Sequence, residues 1–406
     1  MRRRLFFSVA TSIFGAAITI AVGGEAQGAE GDLLIRAAKV HTMTGEPLSP
    51  GAVLVSKGKI AQVAPKIEPT PGTQVIDLGQ GELMPGLVEA QGQVGIAGRM
   101  SNEGTREVTP NFRIADAIDP ESRDYRQAFD EGITTMALLP GTDNVVAGIP
   151  CAVKTVGANG DSPRMLKEDL GTAVTVASDP GQRNSSRSRP DSIYVRQPTN
   201  RMGVIWILRE TLQRARDGSP GDSDPGMARI RETINGKHPV FSFTRTSYDT
   251  IGLLRIAGEF KLSPTIFGGQ EAHKIVDELK AAKISVVLDQ LETSRASGSL
   301  GREDTEIRWN LPGVLERAGI PFALSEGNLL DQARFAVRQG ASRSAALTAI
   351  TAAPARILGI DDRVGSIAPG KDADLIALSG DPLEFTTSIL WVRVEGVVQH
   401  PRKSAE

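Results

Sequence analysis

HPVFSFTRTSYDTIGLLRIAGEFKLSPTIFGGQEAHKIVDELKAAKISVVLD, residues 238–289, switches repeatedly between two hydrophobic periods. Short apolar runs at 238–243, 263–268 and 283–289 read as buried strands, and the apolar residues between them recur at three and four positions, as on one face of a helix. Outward from this stretch the pattern continues. ITTMALLP (133–140) and GIPFALS (319–325) read as further strands, and helices are predicted at 203–216, 246–260, 271–281, 329–339 and 342–352. Strand-helix alternation of this kind builds a parallel sheet, either closed into a barrel or doubly wound. It runs from about residue 83 to 358, a span of the size usual for an α/β barrel. Both flanks have a different texture. Residues 32–80 are short strands broken by Gly and Pro, and DADLIALSG and ILWVRVEGVVQ within 366–400 repeat it.

The chain has 406 residues, 40% of them apolar, with 46 basic and 48 acidic side chains. This is an ordinary globular composition, and the net charge of −2 gives no electrostatic footprint for nucleic acid. Cys151 is the sole cysteine, so no intrachain disulfide forms. Arg2, Arg3 and Arg4 followed by the apolar run 5–22 and the small-residue step Ala26-Gln27-Gly28 have the shape of an export signal, residues 1–28, with cleavage before Ala29. RRLFF also has a twin-arginine flavour. The expected location is periplasmic or secreted, with no membrane association after cleavage. Three polar stretches, 178–200, 217–226 and 292–306, read as loops. In a barrel, loops that follow strands carry the site.

LMPGLVEAQGQVG (83–95) resembles the first barrel strand of the amidohydrolase superfamily, where a Met-Pro-Gly run enters an Asp-x-His-x-His signature. AALTAITAAPARILGIDDRVGSIAPGKDADLIALSGDP (345–382) is similar to the end of that superfamily's fold, and the resemblance as a whole is to its imidazolonepropionase-like branch. GITTMALLPGTDNVVAG (132–148), TNRMGVIWILRETLQRA (199–215) and the 238–289 stretch extend the likeness over about residues 32–400. The resemblance implies a (β/α)8 barrel over 83–358 and a small β-sandwich formed by 32–80 with 366–400.

The resemblance also implies one or two divalent metals at the barrel mouth, which polarise a carbonyl and ionise a water. The ligands would be two His on strand one, one His each on strands five and six, and an Asp on strand eight. At those positions this chain has Gln91, Gln93, Phe243, Gly268 and Gly327, or Glu326 if the last strand slips by one. Glu89 stands where the signature has its Asp. Gln91 and Gln93 keep the i, i+2 spacing that puts two side chains on one face of a strand. His41, His238, His273 and His400 all fall elsewhere. Lys154, in CAVKTVG, matches the bridging lysine that some members carbamylate, though with no His partners. The cofactor expectation is therefore none, with no zinc. A hard cation such as calcium would have Glu89, Gln91, Gln93 and Glu326 but usually takes six or more oxygens.

Fold alone does not fix function, and three readings stand. The first is a pseudoenzyme that keeps the barrel as a binding or scaffold protein, with Glu89, Gln91, Gln93, Lys154 and Glu326 lining a pocket for a small molecule or peptide. The second is a hydrolase of C–N bonds other than peptide bonds, working without metal through Lys154, Glu326 and Asp289 together with Glu89. The third is a structural subunit in a mixed oligomer. The expected partners, besides a ligand, are a second copy in a homo-oligomer or an active paralogue on which the barrel would dock.

Overall fold

The computed structural model describes residues 31–96, 101–156, 163–183, 197–218, 224–291 and 308–399. The proposed export signal, His400, the loop 292–306 and parts of the other two polar loops lie outside these residues. Among the described residues, no helix is long and apolar enough to cross a membrane.

The fold is mixed α/β, and its four sheets divide by origin. The amino-terminal flank supplies β1 (Leu33–Ala37), β3 (Gly51–Ser56), β4 (Lys59–Ala64) and β5 (Gln74–Asp77), in the order β4-β3-β1-β5. A second sheet interleaves the two chain ends: β2 (Lys39–Val40) and β6 (Glu82–Pro85) join β17 (Leu375–Leu378), β18 (Ile389–Val394) and β19 (Val397–Gln399), in the order β19-β18-β17-β6-β2. Ile35, Val53, Val55, Leu83, Leu375, Ala377 and Trp391 from these two sheets share one buried apolar cluster.

Between the ends lie the parallel strands. In one sheet β7 (Leu87–Gly92) runs parallel to β8 (Ile133–Leu138), which continues into the antiparallel β10 (Cys151–Lys154) and β11 (Arg164–Lys167). In the other, β12 (Thr172–Thr175), β13 (Val240–Phe243), β14 (Pro264–Phe267), β15 (Val286–Leu288) and β16 (Phe322–Leu324) are all parallel, edged by the antiparallel β9 (Val146–Gly148). Strands 286–288 and 322–324 are wholly buried, as expected for parallel strands covered on both faces. Val88, Ala90, Ala137, Phe241, Phe267, Val287 and Ala323 from both sheets meet in one apolar cluster, and β7 touches β16.

The helices begin where short polar side chains can cap them. Asn200 accepts from the amide of Gly203 at 2.9 Å to open α3 (Arg201–Asp217). Thr246 and Asp249 form a reciprocal capping box at the start of α5 (Ser247–Phe260), which satisfies two amides that a helix start otherwise leaves bare. Asn328 and Ser342 do the same for α8 (Leu329–Arg338) and α9 (Arg343–Ala349).

The sequence reading differs from the structure in several of its helices. The helix expected over 271–281 starts late, as a 3-10 turn at Ala272–Lys274 followed by α6 (Val276–Ala282). The helix expected over 342–352 is two, α9 and α10 (Ala352–Ile357), split at Thr351, which has left the helical conformation. Four short helices were not anticipated: α1 (Asp124–Asp130), α2 (Asp179–Arg183), α4 (Pro225–Ile234) and α7 (Leu311–Ala318). Pro225 and Pro312 fall in the first turn of α4 and α7, where a missing N–H costs nothing, so Pro225, at the end of the stretch 217–226 read as a loop, is in fact a helix start.

Candidate functional site

Ligands of parallel α/β sheets bind beyond the carboxyl ends of the strands, and most of the residues singled out in the sequence gather there. Glu89, on β7, is buried and reaches across to the end of β16. Its carboxylate accepts the hydroxyl of Ser325, the amide of Glu326 at 3.1 Å and the amide of Gln91 at 2.9 Å. Burial pushes this carboxyl up to about 7, although the three donors and the neighbouring Glu326 charge pull in opposite directions. Gln91 then donates its side-chain amide to Glu326 Oε1 at 3.2 Å. Its own carbonyl Oε1 is shut off from solvent and accepts no hydrogen bond. Gln93 points to an exposed position on the rim.

Across the strand ends, Phe243 holds a different arrangement. Arg245 lies over its ring, 4.9 Å from the centroid, and makes two bonds to Asp179, at 2.7 and 2.9 Å. Gly268 follows β14 with its amide bonded to Val287 O at 3.0 Å. Its φ is +75°, in the left-handed region, and a Cβ there would stand 2.9 Å from both Phe243 Cε2 and Thr244 O. Glycine alone fits that backbone. Asp289, at the end of β15, places Oδ2 3.3 Å from the same point. Burial and then the charge of Glu326 push the Asp289 carboxyl up to about 7, with Arg245 opposing. Asp289 Oδ1 is enclosed and has no hydrogen-bond partner. Glu326 and Gly327 also have positive φ, +65° and +69°.

Two spaces meet at Gln91. A recess of about 30 Å³ is lined by Phe241, Phe243 and Phe267 among others. A wider cleft of about 470 Å³ takes in Glu89, Gln93, Asp124, Glu131 and Glu326. The cluster is rich in acceptors, but among the described residues no three His, Cys, Asp or Glu side chains stand together as a metal would need.

Lys154 does not join this group, which corrects its expected place in the pocket. β10 runs antiparallel to β8, and Lys154 pairs with Thr135 near the amino end of that strand. Its ammonium is completely buried between Asp372, at 2.7 Å, and Asp374, at 2.8 Å. The histidines are elsewhere too. His41 bonds Glu82 at 2.6 Å in the flank, and His238 lies against Glu232 at 3.1 Å. His273 falls in the 3-10 turn after β14. No motif in the sequence marks Ser325, Arg245 or Asp179. Their roles come from partners 236, 66 and 66 positions away, a distance that no local pattern encodes.

A family model, Amidohydrolase family, matches residues 273–400. The solved amidohydrolase from Thermotoga maritima MSB8 superposes with a TM-score of 0.80 at 28% identity, over 90% of this chain and 99% of that one. The chain is thus similar to the amidohydrolase superfamily, in its carboxyl-terminal sequence and in its fold. Two curated relatives carry the same signal at lower identity. The amidohydrolase tasK of Hapsidospora irregularis is 22% identical over 401 residues, and adenine deaminase 1 of Latilactobacillus sakei subsp. sakei (strain 23K) is 22% identical over 369. Each match takes in 86% of this chain but only 40% and 54% of the relative, so this chain spans about half the length of these relatives or less. Members of the superfamily usually bind metal. Here the strand ends present neutral amides, a phenyl ring, a glycine and a set of carboxyls.

Proposed function

We propose that this chain is a pseudoenzyme of the superfamily: a binding protein that has exchanged the metal-ligand set for a polar cleft. The observation that carries this reading is the fit between Phe243 and Gly268. The Phe243 ring and the Thr244 carbonyl fill the space where a side chain at 268 would begin, and the left-handed backbone disfavours any such side chain. Zinc sites are built from imidazole, thiolate and carboxylate. Gln91 and Gln93 offer neutral amide oxygens, and Phe243 and Gly268 offer no donor at all. In this reading the two parallel sheets close into a barrel through the β7–β16 contact, and the flank sheets form one small β-sandwich. The protein is exported through residues 1–28 to the periplasm or beyond. It works on a small molecule or peptide held at the strand ends, alone, as a homo-oligomer or beside an active paralogue.

The test is turnover. Purified protein, supplied with zinc or manganese, should hydrolyse amide, ester and aminopurine substrates no faster than buffer, with or without a chelator. Chelator-sensitive turnover would end the pseudoenzyme reading.

One observation favours a second reading. Glu89 and Asp289 both sit near 7, where a carboxyl can give and take protons at neutral pH. A metal-free hydrolase of C–N bonds other than peptide bonds would use this pair with Glu326. It would show turnover that ignores chelator and disappears in Asp289→Asn.

A further inference from the structure

We infer that the recess and the cleft that meet at Gln91 take a neutral hydroxylated compound with a short alkyl end, its O–H given to the Gln91 carbonyl. This names a ligand class for the binding reading above and rests on it. Gln91 lines both spaces, together with Gly92 and Gln93. A carboxylate only accepts hydrogen bonds, so Gln91 turns its NH2 to Glu326 Oε1, 3.2 Å away, and its carbonyl the other way. That carbonyl Oε1 is enclosed and accepts no hydrogen bond. Buried polar atoms are almost always paired, so this one asks for a donor from a ligand.

The two spaces differ in chemistry, and each suits one end of such a ligand. Among the described residues, no charged side chain lines the recess, and Phe241, Phe243, Phe267, Leu139 and Val174 line it with carbon. Its volume is about 30 Å³, close to one water's share of the liquid, but an enclosed water needs about two to four polar partners. A methyl or ethyl group gains by leaving water for such a wall. An ammonium or a carboxylate would give up its hydration there with no counter-charge in reach. The cleft of about 470 Å³ is polar by contrast. It adds the carboxamides of Gln93, Gln127 and Asn328 and four carboxyls, Glu89 and Glu326 among them. A hydroxyl both donates and accepts, so it pairs with carboxamide and carboxyl alike, whereas an anion would meet like charge.

A ligand-observed NMR titration of the full chain tests this, with 2-butanol as the probe. Diethyl ether has the same atoms but no donor, and sec-butylammonium and 2-methylbutanoate put a charge on the same carbon frame. The expected result is saturable binding of 2-butanol, about tenfold weaker or worse for the other three. Gln91→Met removes the carbonyl at nearly constant length, and Ala147→Leu fills the recess that Ala147 lines; each should weaken 2-butanol by about tenfold. Circular dichroism of both variants guards against a loss that is only unfolding, and because they change different walls, one that fails to fold leaves the other to decide. Diethyl ether binding as well as 2-butanol, either ion binding better, or equal binding by wild type and a folded Gln91→Met would each overturn the inference. So would the lack of saturable 2-butanol binding, which with turnover still absent leaves the pseudoenzyme reading standing. Chelator-sensitive turnover would sink that reading itself.

Discussion

Asp289 is a carboxyl whose ionised form is poorly served by its surroundings. An enclosed charged group without a partner costs stability, and the effect should be visible in the pH dependence. The folded values of Glu89 and Asp289, both about 7, lie above their ordinary values of 4.5 and 3.8. Each group therefore stabilises the fold fully below pH about 4, and that contribution is lost as pH rises through 7. Asp289→Asn removes the ionisation and keeps the shape. It should leave stability at pH 4 nearly unchanged and raise it at pH 8 by about 1–3 kcal/mol. Thermal melts of both proteins across that range check this, and parallel curves would show that the carboxyl is not the cause. Lys154 is the opposite case. Its ammonium neutralises Asp372 and Asp374, and the Asp372 carboxyl, despite its burial, is held far below the usual range by Arg363, Lys154 and Lys59. Breaking a buried ion pair from one side costs about 3–5 kcal/mol, so Lys154→Met should destabilise the protein by about that much in urea melts. A loss under about 1 kcal/mol would mean that Arg363 and Lys59 alone carry the network.

At the level of elements, β17 is the strand on which the two chain ends depend. It pairs with β6 on one side and β18 on the other, and Leu375 and Ala377 share an apolar cluster with Ile35, Val53 and Val55. Removing residues 366–406 leaves β6 with only the two-residue β2 as a neighbour. The amides of β1 and β3 should then lose their hydrogen-exchange protection, although neither strand has been touched. Protection that persisted would mean that the amino-terminal sheet is stable without the returning strands. Most of the parallel strands and most long helices could be read from the sequence because the signal is local, an apolar run of four or a 3-4 spacing over fourteen residues; β12, Thr172–Thr175, alternates Thr with small apolar residues and was missed. The antiparallel insertion β9–β11 could not, because Val146–Gly148 and Cys151–Lys154 differ little in composition from their parallel neighbours and only the register separates them. The same limit applied at the site. Glu89, Gln91 and Glu326 were found because a known motif marked their positions. Lys154 was misplaced because its spacing in sequence says nothing about which end of the strand its ammonium faces.

The whole molecule joins an α/β fold like that of the Thermotoga protein to strand ends that present amides, a phenyl ring, a glycine and carboxyls. The likeness of fold rests on the superposition with the Thermotoga protein; the pseudoenzyme reading proposed above requires that the strand ends hold no metal. Restoring Gln91→His and Gln93→His should not bring the metal back, because Phe243 and Thr244 still close off position 268 and supply no side-chain donor that binds zinc. The direct measurement is elemental analysis of the full chain, wild type and the Gln91→His/Gln93→His double variant, loaded with zinc or manganese and then dialysed. The pseudoenzyme reading requires less than about 0.1 metal per chain in both, since a site without imidazole or thiolate has little to offer zinc. One or two equivalents retained by the wild-type protein would contradict it.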